Sequence, residues 1–262
     1  MSAAGSASLA AIADFLDETL DVSGIPDYPN ALNGVQVANA GPIERVAAAV
    51  DFSSATVRET VGAGAQLLIV HHGMFWGGLQ PITGHRYERL RALLANDVAV
   101  YSAHLPLDIH PRLGNNALLA RRLGLTPNAG FVKYQTIEVG LSGLDETRTS
   151  QLAERAGELA REFGGALVTT PFAPSRITRR WGICTGAGAD SASLREAASR
   201  GLDTLIVGEG PHHTAIEAGE LGIVVMYAGH YATETLGVRA LADEVAARFG
   251  LQSVFIDVPS GL

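Results

Sequence analysis

Side chains of the types that bind metal ions follow three apolar segments of this sequence, at the points where the segments end. In open α/β sheets, ligands bind just beyond the carboxyl ends of the strands, so we expect all three segment ends on one rim of a sheet. Two adjacent histidines after the apolar run at 65–70 are hard to explain as packing alone. The side chains concerned are His71, His72, His104, Asp108, His230 and Glu234.

Imidazole and carboxylate donors without a thiolate favour divalent zinc, iron, manganese, cobalt or nickel. One ion with an open coordination position needs only about three protein ligands. The five donors His71, His72, Asp108, His230 and Glu234 therefore suit two ions if a carboxylate or a water bridges them. Two ions about 3.5–4 Å apart activate water as hydroxide and stabilise the entering and the leaving oxygen of a hydrolysis.

Local spacing supports these donors unequally. His230 and Glu234 lie four residues apart at a predicted helix start, so both reach one face of the helix, although solvated pairs with this spacing are common. Pro106 predicts a loop rather than a regular helix between His104 and Asp108. From that loop Asp108 either ligates a metal or caps a turn, and His104 either ligates or orients Asp108 and a water.

Hydrophobic periodicity predicts alternating strands and helices along most of the chain, which implies parallel strands with crossover helices. The stretch 132–141 alternates polar and apolar residues and predicts one half-buried, edge or antiparallel strand. We therefore expect an α/β fold of two similar lobes, with mixed sheets flanked by helices and the metal site between the lobes. The predicted lobes are residues 1–130 and 131–262; in an intertwined alternative, the last segments pack with the first lobe.

Composition narrows the functional classes. The 262 residues are 47% hydrophobic and 18% charged, which supports a large core. A net charge of −8 without long Lys/Arg runs makes nucleic acid a poor partner. No apolar segment reaches the ~20 residues of a membrane span, and the N-terminal segment lacks the basic region of a signal peptide, so we expect a cytoplasmic protein. The single cysteine, Cys184, is expected to be a small buried hydrophobe.

Two glycine-containing segments leave alternatives open. The turn with Gly186 and Gly188 is either an anion site at a helix N-terminus or a plain strand–helix turn. The chain lacks a dinucleotide fingerprint and a P-loop lysine, which leaves a nicotinamide-dependent oxidoreductase little support. In the loop after His72, Phe75 and Trp76 fit a substrate pocket and ordinary packing equally well.

Several segments of the chain carry a family resemblance. They are Asn33-Gly34-Val35-Gln36-Val37, the strand ending at Asp51, Val70-His71-His72, the stretch from His104 to Asp108, and Gly229-His230-Tyr231-Ala232-Thr233-Glu234. In these segments, and in their order along nearly the whole chain, the protein resembles the NGG-one-interacting-factor-three family. Members of that family are also described as GTP cyclohydrolase I type 2 homologs or dinuclear-metal-centre hexameric proteins. The length resembles the family's short form.

The resemblance implies roles for the candidate residues. The five donors named above match the two-metal ligand positions, with Glu234 as the bridging candidate and one of His71 and His72 on each ion. His104 matches a pocket histidine. The resemblance also implies a toroidal homohexamer with its metal sites facing an internal cavity.

The sequence departs from the family's pattern in two places. Residues 73–78 replace a proline-containing stretch, so the substrate-side wall is expected to differ. Within 208–213, Glu209 stands where relatives often have Asp, and His213 either faces the pocket or lies at the start of a surface helix.

Two functional hypotheses follow. The leading one is a dinuclear divalent-metal-dependent hydrolase, in which metal-bound hydroxide attacks the substrate and His104 or His213 transfers protons. The family description suggests a nucleotide as the small-molecule substrate, with GTP cyclohydrolase-type hydrolysis of a purine ring. The alternative is a non-catalytic metal-binding oligomer that acts as a metabolite-binding, metal-handling or scaffold protein.

Overall fold

The computed structural model describes residues 5–262 and divides into two compact units. Unit 1 comprises the residues up to Leu107 together with Gly237–Val258, and unit 2 comprises Asp108–Leu236 with Pro259–Leu262. The sequence pattern predicts a division after residue 130, whereas the chain leaves unit 1 after Leu107 and returns to it at Gly237. Both crossings lie inside helices, so neither a linker nor a change of composition marks them.

The elements alternate along the chain. The first ten are α1 (Leu9–Leu20), β1 (Gly34–Val37), β2 (Arg45–Asp51), α2 (Ser54–Gly62), β3 (Leu67–His72), α3 (Gly84–Ala95), β4 (Ala99–Ser102), α4 (Leu105–Asp108), α5 (Asn115–Leu123) and β5 (Pro127–Tyr134). The remaining ten are β6 (Ile137–Arg148), α6 (Thr149–Glu162), β7 (Val168–Thr169), β8 (Ile177–Cys184), α7 (Ser191–Ser199), β9 (Thr204–Val207), α8 (His212–Glu220), β10 (Val224–Tyr227), α9 (His230–Phe249) and β11 (Gln252–Phe255).

Unit 1 is built on a five-stranded sheet in the order β1-β4-β3-β2-β11. β1 runs antiparallel to β4, and the other neighbours are parallel. β3 lies at the centre and is buried along its whole length, which explains its unbroken apolar run. Because Val70 of β3 pairs with Ser102 of β4, both strands end at one edge and deliver their histidines there.

Unit 2 is built on a six-stranded sheet in the order β5-β6-β8-β9-β10-β7. β8, β9 and β10 are parallel, whereas the β5–β6, β6–β8 and β10–β7 pairs are antiparallel. The expected α/β class with two mixed sheets and flanking helices is therefore confirmed.

The expectation that three strand ends share one rim is wrong. β3 and β4 are neighbours in the five-stranded sheet, but β10, which leads to His230, belongs to the six-stranded sheet. Periodicity identifies each strand and its exit, but it carries no information about the sheet to which a strand belongs.

Two local predictions are also wrong. The stretch 132–141 forms a hairpin of β5 and β6 rather than one strand, with Gln135 in the left-handed region (φ 49°) of the turn. The period-2 alternation continues through a turn that lacks the usual Asn-Gly signal, so it reads as uninterrupted. The segment with Pro106 forms the single helical turn α4. A helix tolerates proline in its first turn, because an N–H at that position would have no intrahelical acceptor, so the missing donor costs nothing.

Each unit has its own apolar core. In unit 1 residues of β2, β3 and β4 pack with Val57 of α2 and Leu93 of α3, and in unit 2 Phe131 packs with residues of α7, β9 and β10. Among the described residues, no helix combines the length and apolar character needed to cross a membrane.

Candidate metal centre

Three buried histidines form a donor group in unit 1. One ring nitrogen from each of His71, His72 and His104 lies within 4.8 Å of the others. His71 is fully buried, and His72 and His104 are each 7% exposed. Their strands β3 and β4 are adjacent and parallel, so the sheet itself brings the two exits together. Two members of this group, His71 and His72, are among the five predicted ligands, and His104 is the histidine for which the sequence left ligation and proton transfer both open.

Each of these rings is held by its Nδ1 atom. The bonds are His71 Nδ1 to Ala103 O (2.8 Å), His72 Nδ1 to Asp51 Oδ1 (2.9 Å) and His104 Nδ1 to Asp27 Oδ1 (2.8 Å). A backbone carbonyl only accepts, so Nδ1 of His71 carries a proton, and in the neutral ring Nε2 keeps a lone pair. Such a partner behind the ring fixes tautomer and orientation in metal-binding histidines. The group therefore fits a metal ion by its donor chemistry.

Asp27 is a partner that sequence analysis missed. Burial by itself raises the pKa of Asp27, but the hydrogen bond and charge of His104, with hydrogen bonds from Asn33 and Leu105, lower it overall. Asn33 Nδ2 donates at 2.8 Å and Leu105 N at 2.9 Å. Nothing in the proline-containing loop around Asp27 signals this role, because its partners lie in distant segments.

An aromatic wall covers the imidazoles of unit 1. The ring centroid of Trp76 lies 4.4 Å from that of His104 and 4.8 Å from that of His72. Tyr28 contacts both Trp76 and His104, at 6.3 and 5.9 Å. Trp76 therefore lies against the candidate donors, whereas its neighbour Phe75 lines a separate pocket.

A second donor group lies in unit 2 at the start of α9. Gly229, with φ 96°, turns the chain from β10 into the helix, and His230 and Glu234 then stand one turn apart. His230 Nε2 lies 3.1 Å from Glu234 Oε2, and His230 Nδ1 lies 2.8 Å from Glu209 Oε1. Burial lowers the pKa of His230, but the hydrogen bonds and charges of Glu234 and Glu209 outweigh it and raise the pKa to about 9.

Asp108 lies close to this second group through the turn after β8. Its Oδ1 accepts hydrogen bonds from Asn115 Nδ2 (2.8 Å) and Thr185 Oγ1 (3.4 Å). The next residue, Gly186, has φ 63°, and a Cβ there would overlap Glu234 Oε1 and lie 3.3 Å from His230 Nε2. Only glycine leaves room for the His230–Glu234 pair at this turn.

The carboxylates make this part of unit 2 negative. Burial raises the pKa of the Cys184 thiol, and the charges of Asp108 and then Glu234 raise it further. Cys184 is buried, as expected from the sequence. Asp108 is 5% and Glu234 3% exposed, and buried carboxylates are stabilised by a cation. Imidazole and carboxylate are therefore the donor types that unit 2 offers to a divalent ion, with His230 and Glu234 in direct contact.

The turn with Gly186 favours the plain-turn alternative over an anion site. Thr185 N donates to Asn116 Oδ1 (3.0 Å), and Gly186 N donates to Thr233 Oγ1 (3.1 Å). These backbone donors are therefore already used, and the turn faces the Glu234 carboxylate, which would repel an anion.

The remaining predicted site residue, His213, is exposed in the first turn of α8. Its role in proton transfer stays a prediction. Glu209 departs from the family's usual residue at this position, and its carboxylate forms a hydrogen bond with His230 Nδ1. Asp51 is the last residue of β2, and Glu209 follows the end of β9. A search for polar residues at strand ends would therefore have found both partners.

Comparisons with known proteins agree with this picture of the fold. The model of the family Duf34/NIF3 (NGG1p interacting factor 3) matches residues 7–260. A protein of Deinococcus radiodurans named "GTP cyclohydrolase 1 type 2 homolog" is 41% identical over 250 residues, which cover 95% of this chain and 92% of the relative. The solved structure described as "protein ybgI, unknown function" is similar with a TM-score of 0.86 at 34% identity, covering 98% of this chain and all of that one. TTHA1606 from Thermus thermophilus is similar with a TM-score of 0.83 at 36% identity, with 98% and 100% coverage.

Proposed function

Because the chain belongs to the Duf34/NIF3 family, we propose that it is a dinuclear divalent-metal-dependent hydrolase. The proposed ligands of two zinc, iron, manganese, cobalt or nickel ions are His71, His72, Asp108, His230 and Glu234. The sequence resemblance supports this set, since it assigns these five positions to a two-metal site. The donor chemistry of each unit supports it independently.

One observation carries the proposal furthest. The three imidazoles of unit 1 are buried, converge within 4.8 Å, and each has its Nδ1 atom held by an acceptor. Histidines that serve only packing have no reason to bring one ring nitrogen each within 4.8 Å of the others. Metal binding accounts for the convergence and for the partners behind the rings.

Divalent ions bound by these residues would supply an activated water and a Lewis acid for hydrolysis. In this proposal His104 transfers the proton: Asp27 holds its Nδ1–H, so its Nε2 is the atom that takes up and returns a proton. Trp76 covers the rings of His72 and His104 and limits the access of bulk water to them.

The proposal also covers the identity of the substrate and the oligomeric state. Relatives are named GTP cyclohydrolase 1 type 2 homologs, which makes a small molecule with a hydrolysable purine ring, and GTP first, the substrate to test. The resemblance supports a homohexamer. The cytoplasmic location and the participation of His213 stay predictions of the sequence.

Turnover measurements test the hydrolase directly. Protein reconstituted with each metal is assayed with GTP, phosphoesters and amides, beside chelator-treated protein and the Glu234→Gln variant. We expect hydrolysis with metal, and a loss of about a thousandfold or more without metal or in Glu234→Gln, since metal-assisted catalysis supplies several kcal/mol. Glu220→Gln, an exposed carboxylate at the end of α8, is the matched control and should leave the rate unchanged.

Two outcomes would contradict the proposal. Undiminished turnover by the metal-free protein would exclude metal-dependent hydrolysis. Stoichiometric metal without turnover on any substrate class would favour the non-catalytic alternative, a metabolite-binding, metal-handling or scaffold protein.

A further inference from the structure

A pocket in unit 1 lies outside both donor groups. The end of β2, the loop after β3 and one face of α3 surround it. Phe52, Met74, Phe75 and Leu90 give it apolar walls, and Phe52 is itself 8% exposed. The walls are of the kind that contact the apolar part of a small molecule.

Two arginines line the same pocket. Arg86 and Arg89 are three residues apart on α3, so they project from one face of the helix. Within the described part of the chain, neither forms an ion pair with a carboxylate. The acidic residue between them, Glu88, is instead paired with Arg91 at 3.1 Å. The Arg89 guanidinium lies over the Phe52 ring, 5.0 Å from its centroid, but among the described residues no carboxylate neutralises either positive charge.

The two guanidinium groups act on each other. Burial, and then the charge of Arg86, lower the pKa of Arg89. Arg89 Nη1 donates to Phe52 O at 3.0 Å, while its Nε is buried and meets no acceptor among the described residues. Like charges this close are costly unless an anion lies between or beside them.

The loop that closes the pocket also exposes apolar side chains. Leu79 is 95% and Ile82 54% exposed, and both line the pocket. An apolar group bound in the pocket would cover part of this surface, which water otherwise contacts.

One backbone hydrogen bond joins a pocket residue to the end of β3. Phe52 N donates to His72 O at 2.9 Å, and Phe52 O accepts from Arg89. A ligand in the pocket would therefore contact Phe52, the residue whose backbone is hydrogen-bonded to the candidate metal ligand His72.

We propose that this pocket binds the substrate of the metal centre, and that the substrate is a small organic anion. Its phosphate or carboxylate pairs with Arg86 and Arg89, and its aromatic or apolar body contacts Phe52 and Phe75. The identification of the ligand as the substrate rests on the proposed hydrolase function. The binding of an apolar anion does not depend on it.

Two fluorescent probes test the pocket in metal-free protein. Anilinonaphthalene sulfonate has an aromatic body and an anionic group, and phenylnaphthylamine has a similar body without charge. We expect Arg86→Gln to weaken the sulfonate probe about tenfold or more, as for a lost charge-assisted hydrogen bond, and to change the neutral probe less than about twofold. Arg86→Lys should keep part of the affinity. Arg91→Gln, the same change on the same helix outside the pocket, should leave both affinities unchanged.

Equal effects of Arg86→Gln and Arg91→Gln, or no binding of the sulfonate probe, would overturn the proposal. Thermal unfolding of each variant checks that it is folded. In metal-loaded protein, Arg86→Gln should raise KM with kcat nearly unchanged. If Arg86→Gln hydrolyses the substrate with an unaltered KM, the pocket is not the substrate site, although the hydrolase proposal stands. If the probes show the expected selectivity but no substrate is hydrolysed, the hydrolase proposal fails and the pocket remains an anion-binding site.

Discussion

The two units present different donors. Unit 1 offers three imidazoles, each held at Nδ1 by a carbonyl or a carboxylate, whereas unit 2 offers the buried carboxylates Asp108 and Glu234 with a single imidazole, His230. In unit 1 hydrogen bonds define where the donor atoms point. In unit 2 negative charge dominates, and in the absence of metal a proton on His230 balances part of it.

The two units thus show two separate contributions to metal binding, the orientation of the donor atoms in unit 1 and the negative charge in unit 2. Neutral nitrogen donors attract a cation only at short range and depend on geometry, whereas buried carboxylates attract it through their charge and are stabilised when it binds. We therefore expect damage to the space around Glu234 to weaken metal binding most. Loss of one partner behind a histidine should cost less metal affinity. The smallest effect is expected in the metal-free protein, where removal of the balancing proton from His230 lowers stability.

The largest effect is expected from Gly186→Ala. The new Cβ would overlap Glu234 Oε1 and displace the carboxylate, so metal affinity should fall by about a hundredfold or more, well above the cost of a strained backbone alone. Gly164→Ala is the matched control, because Gly164 also has a left-handed backbone (φ 76°) but open space around its Cα. Isothermal titration of both variants checks this, and equal affinities in the two would refute it.

An intermediate effect is expected from the partners behind the histidines. Asp51→Asn should weaken the orientation of His72, and Glu209→Gln that of His230, each lowering metal affinity or activity by about 10- to 100-fold. Both carboxylates are more than a third exposed, so the fold should survive. Asp14→Asn, at an exposed position of α1, is the control. If both variants match this control, the hydrogen bonds do not orient the rings.

The smallest effect concerns pH in the metal-free protein. The pKa of His230 is raised in the folded state from 6.5 to about 9, so the stability it contributes is fully present below pH 6.5. That stability is lost as the pH rises through about 9. The Tm of chelator-treated protein should therefore fall between these pH values, and Glu209→Gln should reduce the fall. A flat Tm across this window would contradict the charge balance inferred for unit 2.

The sequence predicts the exits of the strands well, because a buried parallel strand leaves an unbroken apolar run that ends in a polar residue. Leu67–His72 and Val224–Tyr227 are examples, and the residues that follow them are those the structure places in donor groups. The four-residue spacing also predicts that His230 and Glu234 share one face of a helix, and the structure shows their side chains 3.1 Å apart.

The remaining features depend on contacts that no local pattern records. Asp27 lies in an irregular loop and meets His104 only through tertiary structure. The assignment of β10 to the second sheet and the chain crossings inside α4 and α9 are likewise consequences of topology. The hairpin of β5 and β6 escaped prediction because its turn lacks glycine and keeps the alternation intact.

The central claim is that both units supply metal ligands, and metal content per chain tests it most directly. Purified protein, reconstituted anaerobically, is analysed beside His71→Ala from unit 1, Glu234→Ala from unit 2 and His212→Ala, an exposed histidine of α8, as control. The account predicts about two ions per wild-type chain, as two-metal hydrolysis requires, with metal lost in the first two variants and retained in the third. A wild-type chain without stoichiometric metal, or full metal content in either ligand variant, would contradict it.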